Sequence, residues 1–323
     1  MVWIYFICTA AVIIFAGSKL SVLAEKLAGM LNISSSTVGL LLVSIITSLP
    51  ELSTSLSAAV QVGEPGLAVG NTIGSDLFNL MIIALCDLLF AKKGILRQTA
   101  QNTASMLRYL LMVSLILLTI TLPNELAVAG MHFNVGSLVI ILLYIFLFFR
   151  THRSDTGHAD AEFAERSELG KTSLQFAAAA AAIVLAGMLL ARQGDQIAQQ
   201  TGLEQSFVGT LFLALATSLP ELTVSISAVR IGAYDLMAGN ILGSNMFNVF
   251  VAAVTDVAYT RGAFNIPGNI SPGVLVIGGC TLSMTLIYMA AVRQKRKAKH
   301  IAWESVAVLA LYLIGLFFMY RAG

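Results

Sequence analysis

Two glutamates occupy nearly the same local sequence at two places in the chain. The pentapeptide Thr-Ser-Leu-Pro-Glu ends at Glu51 and occurs again, ending at Glu221. In each copy the two hydroxyl residues precede the carboxylate by four and three positions, so on a helix the three side chains share one face. Both copies lie in apolar stretches, where a charged side chain costs about 3 kcal/mol or more and usually has a functional role. The pattern predicts a buried site for cations or protons.

A second motif follows each glutamate. Gly-Asn-x-x-Gly-Ser-x-x-Phe-Asn covers residues 70–79 and again 239–248. Its Ser and final Asn are four residues apart on one helix face, and its glycines allow close helix approach. An isolated Ser or Thr most simply bonds to a carbonyl of its own helix, but repetition beside a glutamate favours a site. The offsets of 170 and 169 residues divide the chain into two equivalent halves.

Both motifs supply hard oxygen donors, which are carboxylates, amide carbonyls and hydroxyls, and contain no thiolate or imidazole. Such donors suit Ca²⁺, Na⁺ or protons rather than Zn²⁺, Cu⁺ or Fe²⁺. If Glu51 and Glu221 come within about 5 Å, their repulsion is about 3 kcal/mol at an effective dielectric constant near 20. An empty, doubly ionised site is then unfavourable, which biases a carrier towards exchange over leak.

The composition identifies an integral membrane protein. Apolar residues make up 57% of the chain and charged residues 11%, with a mean hydropathy of +0.85, whereas soluble domains are about 25% charged. A net charge of +2 without basic runs among aromatics excludes nucleic acid as a partner. The lipid bilayer is the expected surrounding.

The hydropathy pattern predicts ten membrane helices of about 20 residues each. Their predicted bounds are 2–22, 37–61, 66–91, 104–123, 126–149, 172–192, 206–231, 236–258, 272–292 and 302–321. Because five crossings end on the side opposite their start, the two halves must be inverted relative to each other. We expect an all-α fold with a first repeat at 1–150, a cytoplasmic linker at 151–171 and a second repeat at 172–323.

The distribution of basic residues supports this count. Of the 19 Lys and Arg residues, only Arg192, Arg261 and Arg321 fall on the side that holds both termini. The side rich in basic residues is cytoplasmic. We therefore expect a multi-pass protein of the plasma (inner) membrane with both termini outside.

Helices 2 and 7 each contain a proline in mid-membrane. Pro50 and Pro220 lack the backbone N–H and clash with the carbonyl four residues earlier, so both helices are predicted to break there. Carbonyls freed by such breaks can bind cations. Asp87 and Asp256 lie at equivalent positions near the ends of helices 3 and 8, where capping or pairing is expected.

The paired motifs resemble the two inverted alpha repeats of sodium/calcium exchangers, in the cation/calcium exchanger superfamily. The resemblance in topology covers essentially the whole chain and implies a central ion site shared by helices 2, 3, 7 and 8, with helices 1 and 6 sliding past the rest. The ion ligands that it implies are Thr47, Ser48, Glu51, Ser75, Asn79, Thr217, Ser218, Glu221, Ser244 and Asn248. Among these, the carboxylates and amides of Glu51, Glu221, Asn79 and Asn248 would hold the metal ion.

The sequence departs from this family pattern at one ligand. Well-studied sodium-coupled members carry an aspartate where Asn248 stands, while here an acid, Asp76, follows Ser75. Asp76 lies about 100° around the helix from Ser75, so it faces either a neighbouring helix or the ion path. The linker also lacks the calcium-sensing domains of eukaryotic relatives.

The sequence predicts a secondary antiporter that expels Ca²⁺ in exchange for Na⁺. It is not expected to be an enzyme, to need a cofactor besides the transported ions, or to have an obligate protein partner. A Ca²⁺/H⁺ exchanger is the alternative, favoured by the neutral Asn248. A passive cation channel would conduct without a counter-ion, and an intramembrane aspartyl protease would need paired aspartates, whereas Asp76 and Asp87 share one helix and the repeated acids are glutamates.

Overall fold

The computed structural model describes residues 1–90, 95, 102–122, 125–128, 131–154, 166–201, 215–259, 272–293 and 303–322. Almost all of them are helical. In the first half the helices are α1 (Val2–Leu31), α2 (Ser35–Val62), α3 (Pro65–Leu89), α4 (Thr103–Thr121) and α5 (Val135–Ser154). In the second half they are α6 (Arg166–Thr201), α7 (Leu219–Ile231), α8 (Tyr234–Ala258), α9 (Pro272–Arg293) and α10 (Trp303–Ala322).

Most of these helices are long and apolar enough to cross a bilayer. Seven of the described helices meet that standard, and α5 and α10 contain shorter apolar stretches, Val135–Thr151 and Trp303–Phe318. Large apolar side chains are exposed along their outer faces, as expected where lipid replaces water. The prediction of a helical integral membrane protein is confirmed. The predicted seventh span, 206–231, lies partly outside the described residues, so the count of ten crossings stays a prediction.

Several helix bounds differ from the predicted ones. Helix α1 continues to Leu31 and ends at Asn32, which adopts the left-handed conformation that terminates helices. A window of about 20 residues ends near Val22, although the same helix continues past the charged residues Glu25 and Lys26. Helix α6 is likewise longer than the predicted 172–192 at both ends.

The start of the predicted fifth helix is a β-hairpin instead. Strands β1 (Glu125–Val128) and β2 (Met131–Asn134) pair antiparallel, with Glu125 opposite Asn134 and Val128 opposite Met131. The expectation of a purely α-helical chain is therefore wrong at this loop. Hydropathy alone cannot distinguish a short apolar strand from the first turns of a membrane helix.

The two prolines act differently from each other. Helix α2 is not broken at Pro50, which corrects the prediction: regular helix runs from Ser44 to Leu56, and wider π-helical turns flank it at Gly39–Val43 and Ser57–Val62. A proline removes one backbone hydrogen bond, and the flanking wide turns accommodate the distortion. In the second half the break is confirmed, because a turn at Ser218 precedes α7 and Pro220 lies in its first turn.

Helices α3 and α8 form the centre of the molecule. Helix α8 packs against α2, α3, α4, α5 and α7, and α3 packs against α2, α7, α8, α9 and α10. The two sets are equivalent when each half is exchanged for the other. Helices α1 and α6 pack against each other, α1 also against α7, and α6 against α2. The motif-bearing helices α3 and α8 are thus surrounded by the other helices of both halves.

The two buried aspartates at the ends of α3 and α8 hold the fifth helix of the opposite half. Asp256 accepts hydrogen bonds from the backbone N–H and the side-chain amide of Asn134, at 2.8 and 3.0 Å, and from Ser137 at 2.6 Å, at the start of α5. Asp87 accepts one from Ser305 at 2.8 Å in the first turn of α10. Capping or pairing was expected: Asp256 caps the start of α5 through a backbone N–H, and Asp87 pairs with a hydroxyl in the first turn of α10.

Candidate ion-binding site

The two repeated glutamates are buried where α2 and α7 meet, each with 1% of its surface exposed. Ser48, which precedes Glu51, donates a hydrogen bond to Glu221 Oε1 at 2.8 Å. Ser218, which precedes Glu221, donates to Glu51 Oε1 at 3.3 Å. Each half therefore supplies a hydroxyl to the carboxylate of the other half, and the structure brings both motifs together.

The remaining predicted hydroxyls continue this network into α3 and α8. Ser218 also approaches the hydroxyl of Ser75 at 3.4 Å, and Thr47 lies 3.3 Å from the hydroxyl of Ser244. Thr217 contributes a hydrogen bond to the Glu51 carboxylate. Side chains from four helices thus form one buried polar cluster, because each motif places its hydroxyls on the helix face that meets the other half.

The asparagine amides of the second motif form a further polar network between α3 and α8. Asn79 donates from Nδ2 to Asn245 Oδ1 at 3.0 Å, and Asn248 donates from Nδ2 to Asp76 Oδ1 at 3.0 Å. Asn245 in turn donates to the backbone carbonyl of Asp76 at 3.2 Å. All four residues are buried. Both amide nitrogens are therefore used in contacts between α3 and α8.

Four oxygens in this cluster have no hydrogen-bond donor. They are Glu51 Oε2, Glu221 Oε2, Asn79 Oδ1 and Asn248 Oδ1, and they account for four of the seven buried, unpartnered side-chain atoms among the described residues. Leaving a buried acceptor unpaired costs about 1–3 kcal/mol, more for a charged group. A cation can satisfy carboxylate and amide oxygens alike, whereas a proton can satisfy only a carboxylate oxygen. These four residues are the predicted metal ligands.

The composition of the cluster limits which ions suit it. Within the part of the chain that the structure describes, no three His, Cys, Asp or Glu side chains are grouped as a metal site. A cation here would be held by two carboxylates supplemented by amide and hydroxyl oxygens, a donor set that suits Ca²⁺ or Na⁺. Two ionised glutamates would balance the charge of one Ca²⁺.

Two glycines set the closeness of α2 and α8. A β-carbon built on Gly243 would lie 2.6 Å from the backbone oxygen of Leu40, and one on Gly39 would lie 2.6 Å from that of Leu236. Because these helices meet backbone to backbone, Thr47 can reach both Ser244 and Asn240, each at 3.3 Å. Gly39 and Gly243 therefore position the hydroxyl network, as small residues do in membrane helix packing.

Three further residues support the site without having been predicted as ligands. Asn240 donates to Ser225 at 3.3 Å and accepts from Thr47, Asn245 orients Asn79, and Tyr109 donates to Asp76 Oδ2 at 3.0 Å. The repetition of the Gly-Asn motif could have indicated Asn240. Tyr109 lies on α4, outside both motifs, and no pattern in the sequence links it to them. Asp76 faces α4 and α8.

Comparisons with known proteins agree with this geometry. The family model described as sodium/calcium exchanger protein matches residues 1–151 and 171–321. An uncharacterised membrane protein of Methanocaldococcus jannaschii is 26% identical over 312 residues, which cover 94% of each chain. The sodium/calcium exchanger MaX1 of Methanosarcina acetivorans is 24% identical over 343 residues, covering 92% of this chain and 93% of that protein.

The fold is also found among solved structures. A structure of the sodium-calcium exchanger NCX_Mj, soaked with Na⁺ and Sr²⁺, matches with a TM-score of 0.75 at 21% identity, and the match covers 98% of this chain and 99% of that one. At this identity the match establishes the fold. Because the family model matches nearly all of the sequence, the chain belongs to the sodium/calcium exchanger protein family.

Proposed function

We propose that the protein is a secondary active antiporter that exchanges Ca²⁺ for Na⁺ across the membrane and serves calcium extrusion. Membership of an exchanger family supports cation/calcium exchange and a transporter rather than an enzyme. The observation that carries the proposal is the group of four unpartnered oxygens from Glu51, Glu221, Asn79 and Asn248. The transported ions are its ligands, and no cofactor or protein partner is needed.

Transport by alternating access requires the site to lie between two similar halves. The reciprocal bonds of Ser48 and Ser218 to the opposite glutamates support such a pseudo-symmetric arrangement, and two inverted repeats of five helices each would produce it. The moving part would be the α1–α6 pair, which packs on α2 and α7. Sliding of this pair would open the site first to one side of the membrane and then to the other.

Exchange rather than leak follows from the electrostatics of the empty site. Burial together with mutual repulsion makes two ionised glutamates unfavourable without a cation. The carrier would then change conformation readily only when loaded with one Ca²⁺ or with Na⁺ ions. A passive channel lacks this requirement, so obligatory counter-transport distinguishes the two mechanisms.

A Ca²⁺/H⁺ exchanger is the second candidate, and one observation favours it. Position 248, where sodium-coupled members carry an acid, holds a neutral asparagine, which removes a direct negative charge that would bind a monovalent cation. The protease alternative has no such support. Asp76 bonds with Asn248 and Tyr109, while Asp87 bonds with Ser305 at the start of α10, so these two aspartates belong to separate groups.

A flux assay separates the candidates. The protein is reconstituted into sealed vesicles loaded with Na⁺ and diluted into Na⁺-free medium containing ⁴⁵Ca²⁺. Uptake that depends on the Na⁺ gradient supports the proposal, and uptake that follows a pH gradient alone supports proton coupling. Ca²⁺ entry without any counter-ion would indicate a channel. Glu51→Gln and Glu221→Gln should each abolish uptake while leaving the protein folded.

The placement in the cell is part of the same proposal. The protein would lie in the plasma (inner) membrane with both termini outside, and the linker between the halves would be cytoplasmic. Cysteine accessibility from each side of intact cells, measured at residues introduced near the first and last helices, tests this orientation.

A further inference from the structure

Asp76 is a third buried acid beside the site, and the proposed transport mechanism does not use it. Its side chain on α3 is fully inaccessible to solvent. Oδ1 accepts a hydrogen bond from Asn248 Nδ2 and Oδ2 accepts one from Tyr109 Oη, both at 3.0 Å. Each carboxylate oxygen therefore has one donor, from α8 and from α4, and these contacts hold Asp76 against those two helices. Its partner Asn248, however, retains a buried Oδ1 that has no donor.

The contact with Asp76 fixes the orientation of the Asn248 amide. The nitrogen and oxygen of a side-chain amide point to opposite sides of one planar group, and an ionised carboxylate accepts hydrogen bonds but donates none. Asp76 therefore selects Nδ2 of Asn248 and leaves Oδ1 on the other side. A neutral residue at position 76 that both donates and accepts could pair with either end of the amide.

The other half contains the equivalent contact, in which the residue that accepts the hydrogen bond is neutral. Asn245 occupies the position equivalent to Asp76, and its Oδ1 accepts from Asn79 Nδ2 at 3.0 Å. Asn79 also retains an unpartnered, buried Oδ1. In both halves, then, a residue directly after the motif serine turns the amide of the opposite half. Only in one half is that residue an acid.

We propose that Asp76 is a positioning residue that directs the Asn248 carbonyl oxygen to the bound cation and adds a negative charge behind it. The acid on α3 and the amide on α8 would then act on the bound ion as one pair. This inference rests on the proposed function, because it assumes that a cation binds among the four unpartnered oxygens.

A charge placed behind a ligand affects ions according to their valence. Coulomb energy is proportional to the charge of the ion, so one carboxylate contributes twice as much to binding Ca²⁺ as to binding one Na⁺ at the same distance. Neutralising Asp76 should therefore weaken Ca²⁺ binding by roughly the square of the factor by which it weakens Na⁺ binding. A purely structural loss would weaken both ions alike.

The test compares the full-length wild type with D76N, the exchanged pair D76N/N248D, and D87N as a control. D87N makes the same chemical change in a buried acid of the same helix, at a residue that contacts α10 instead of Asn248. Equilibrium binding of ⁴⁵Ca²⁺, and its competition by Na⁺, is measured in detergent at constant ionic strength. Size-exclusion profiles and unfolding temperatures report whether each variant folds.

We expect D76N to weaken Ca²⁺ binding about tenfold or more and Na⁺ binding about threefold. D76N/N248D should bind Ca²⁺ within about threefold of the wild type, because it restores one carboxylate and one amide. D87N should keep wild-type affinity. If D76N alone does not fold, Ca²⁺ binding by D76N/N248D tests the inference, since this variant contains the same substitution.

The inference is overturned if D76N binds Ca²⁺ as tightly as the wild type, or if its affinities for Ca²⁺ and Na⁺ fall by the same factor. It is also overturned if D76N/N248D binds Ca²⁺ no more tightly than D76N. Failure of the wild type to bind Ca²⁺ would overturn the proposed function and this inference with it. If the wild type binds Ca²⁺ and only the variants depart from these expectations, the inference alone is overturned.

Discussion

The glycines of the repeated motif are identical in sequence, but the structure places them in different surroundings. Gly243 on α8 faces α2, and a β-carbon added there would lie 2.5 Å from Ser44 Oγ and 2.6 Å from the Leu40 backbone oxygen. Among the residues that the structure describes, no atom lies within 4 Å of the corresponding position on Gly74, its equivalent on α3. We predict that Gly243→Ala destabilises the protein and that Gly74→Ala does not.

The magnitude follows from the distances. A backbone oxygen cannot rotate away, so α2 and α8 must separate by about 1 Å to restore ordinary contact, and overpacking of this kind costs about 1–3 kcal/mol. Alanine is favoured over glycine inside a helix by about 1 kcal/mol, but this gain is common to both variants. Their difference in unfolding free energy should therefore equal the packing cost, about 1–3 kcal/mol.

The assay is thermal unfolding of both variants in the same detergent, with and without Ca²⁺. We expect Gly243→Ala to unfold at least about 3 °C below Gly74→Ala and to bind Ca²⁺ more weakly, because separation of the helices pulls Thr47 away from Ser244. Equal unfolding temperatures would refute the close crossing of α2 and α8. Normal Ca²⁺ affinity in a destabilised Gly243→Ala would refute the claim that this crossing positions the site.

Two further substitutions test the scaffold. Asp256→Asn should lower the unfolding free energy by about 1–3 kcal/mol, because an amide cannot accept all the hydrogen bonds that Asn134 and Ser137 donate. Its Ca²⁺ affinity should stay unchanged. Gly187→Ala should slow Na⁺-driven Ca²⁺ uptake in vesicles, because the added methyl would lie 2.5 Å from the Pro50 ring at the surface where α6 packs on α2.

Each of these has a matched comparison. Gly170 lies on the same helix as Gly187, and no atom of the described residues lies within 4 Å of a β-carbon added there. Gly170→Ala should therefore transport normally, and equal impairment of both variants would contradict the proposed tight contact between α6 and α2. For Asp256→Asn, a loss of Ca²⁺ affinity at unchanged stability would contradict its assignment as a helix cap.

The site was largely predictable because its residues occur twice. Spacing of three and four residues defines a helix face, and repetition shows which faces carry related chemistry. The oxygens Glu51 Oε2, Glu221 Oε2, Asn79 Oδ1 and Asn248 Oδ1 are all buried and unpartnered, and the sequence named the same four residues as metal ligands. Their assignment as ligands is a proposal that rests on this geometry.

The parts that could not be predicted depend on contacts between helices. Pro50 sits within continuous helix because flanking π-helical turns accommodate it, whereas Pro220 follows a turn, and the local sequence around the two is almost the same. The pairing of Asp76 with Asn248 and Tyr109 likewise depends on how α3, α4 and α8 are packed. Local propensity carries no information about such packing.

The strand that replaces the first turns of the fifth helix has a similar explanation. Residues 131–134 lie between apolar stretches and so fall within the predicted span 126–149. They pair with Glu125–Val128 instead, and α5 then begins where Asp256 of the other half caps it. A helix start fixed by a distant residue leaves no local signal. The sequence therefore predicted the existence of α5 and missed where it begins.

The central claim is that one cation is held between the two halves by Glu51 and Glu221. Anomalous diffraction from crystals soaked in Sr²⁺, a heavier substitute for Ca²⁺, tests it directly. A single strong peak about 2.3–2.6 Å from oxygens of both glutamates, absent from Glu51→Gln crystals, is the expected result. A peak elsewhere, or one bound by only one of the two carboxylates, would contradict the claim.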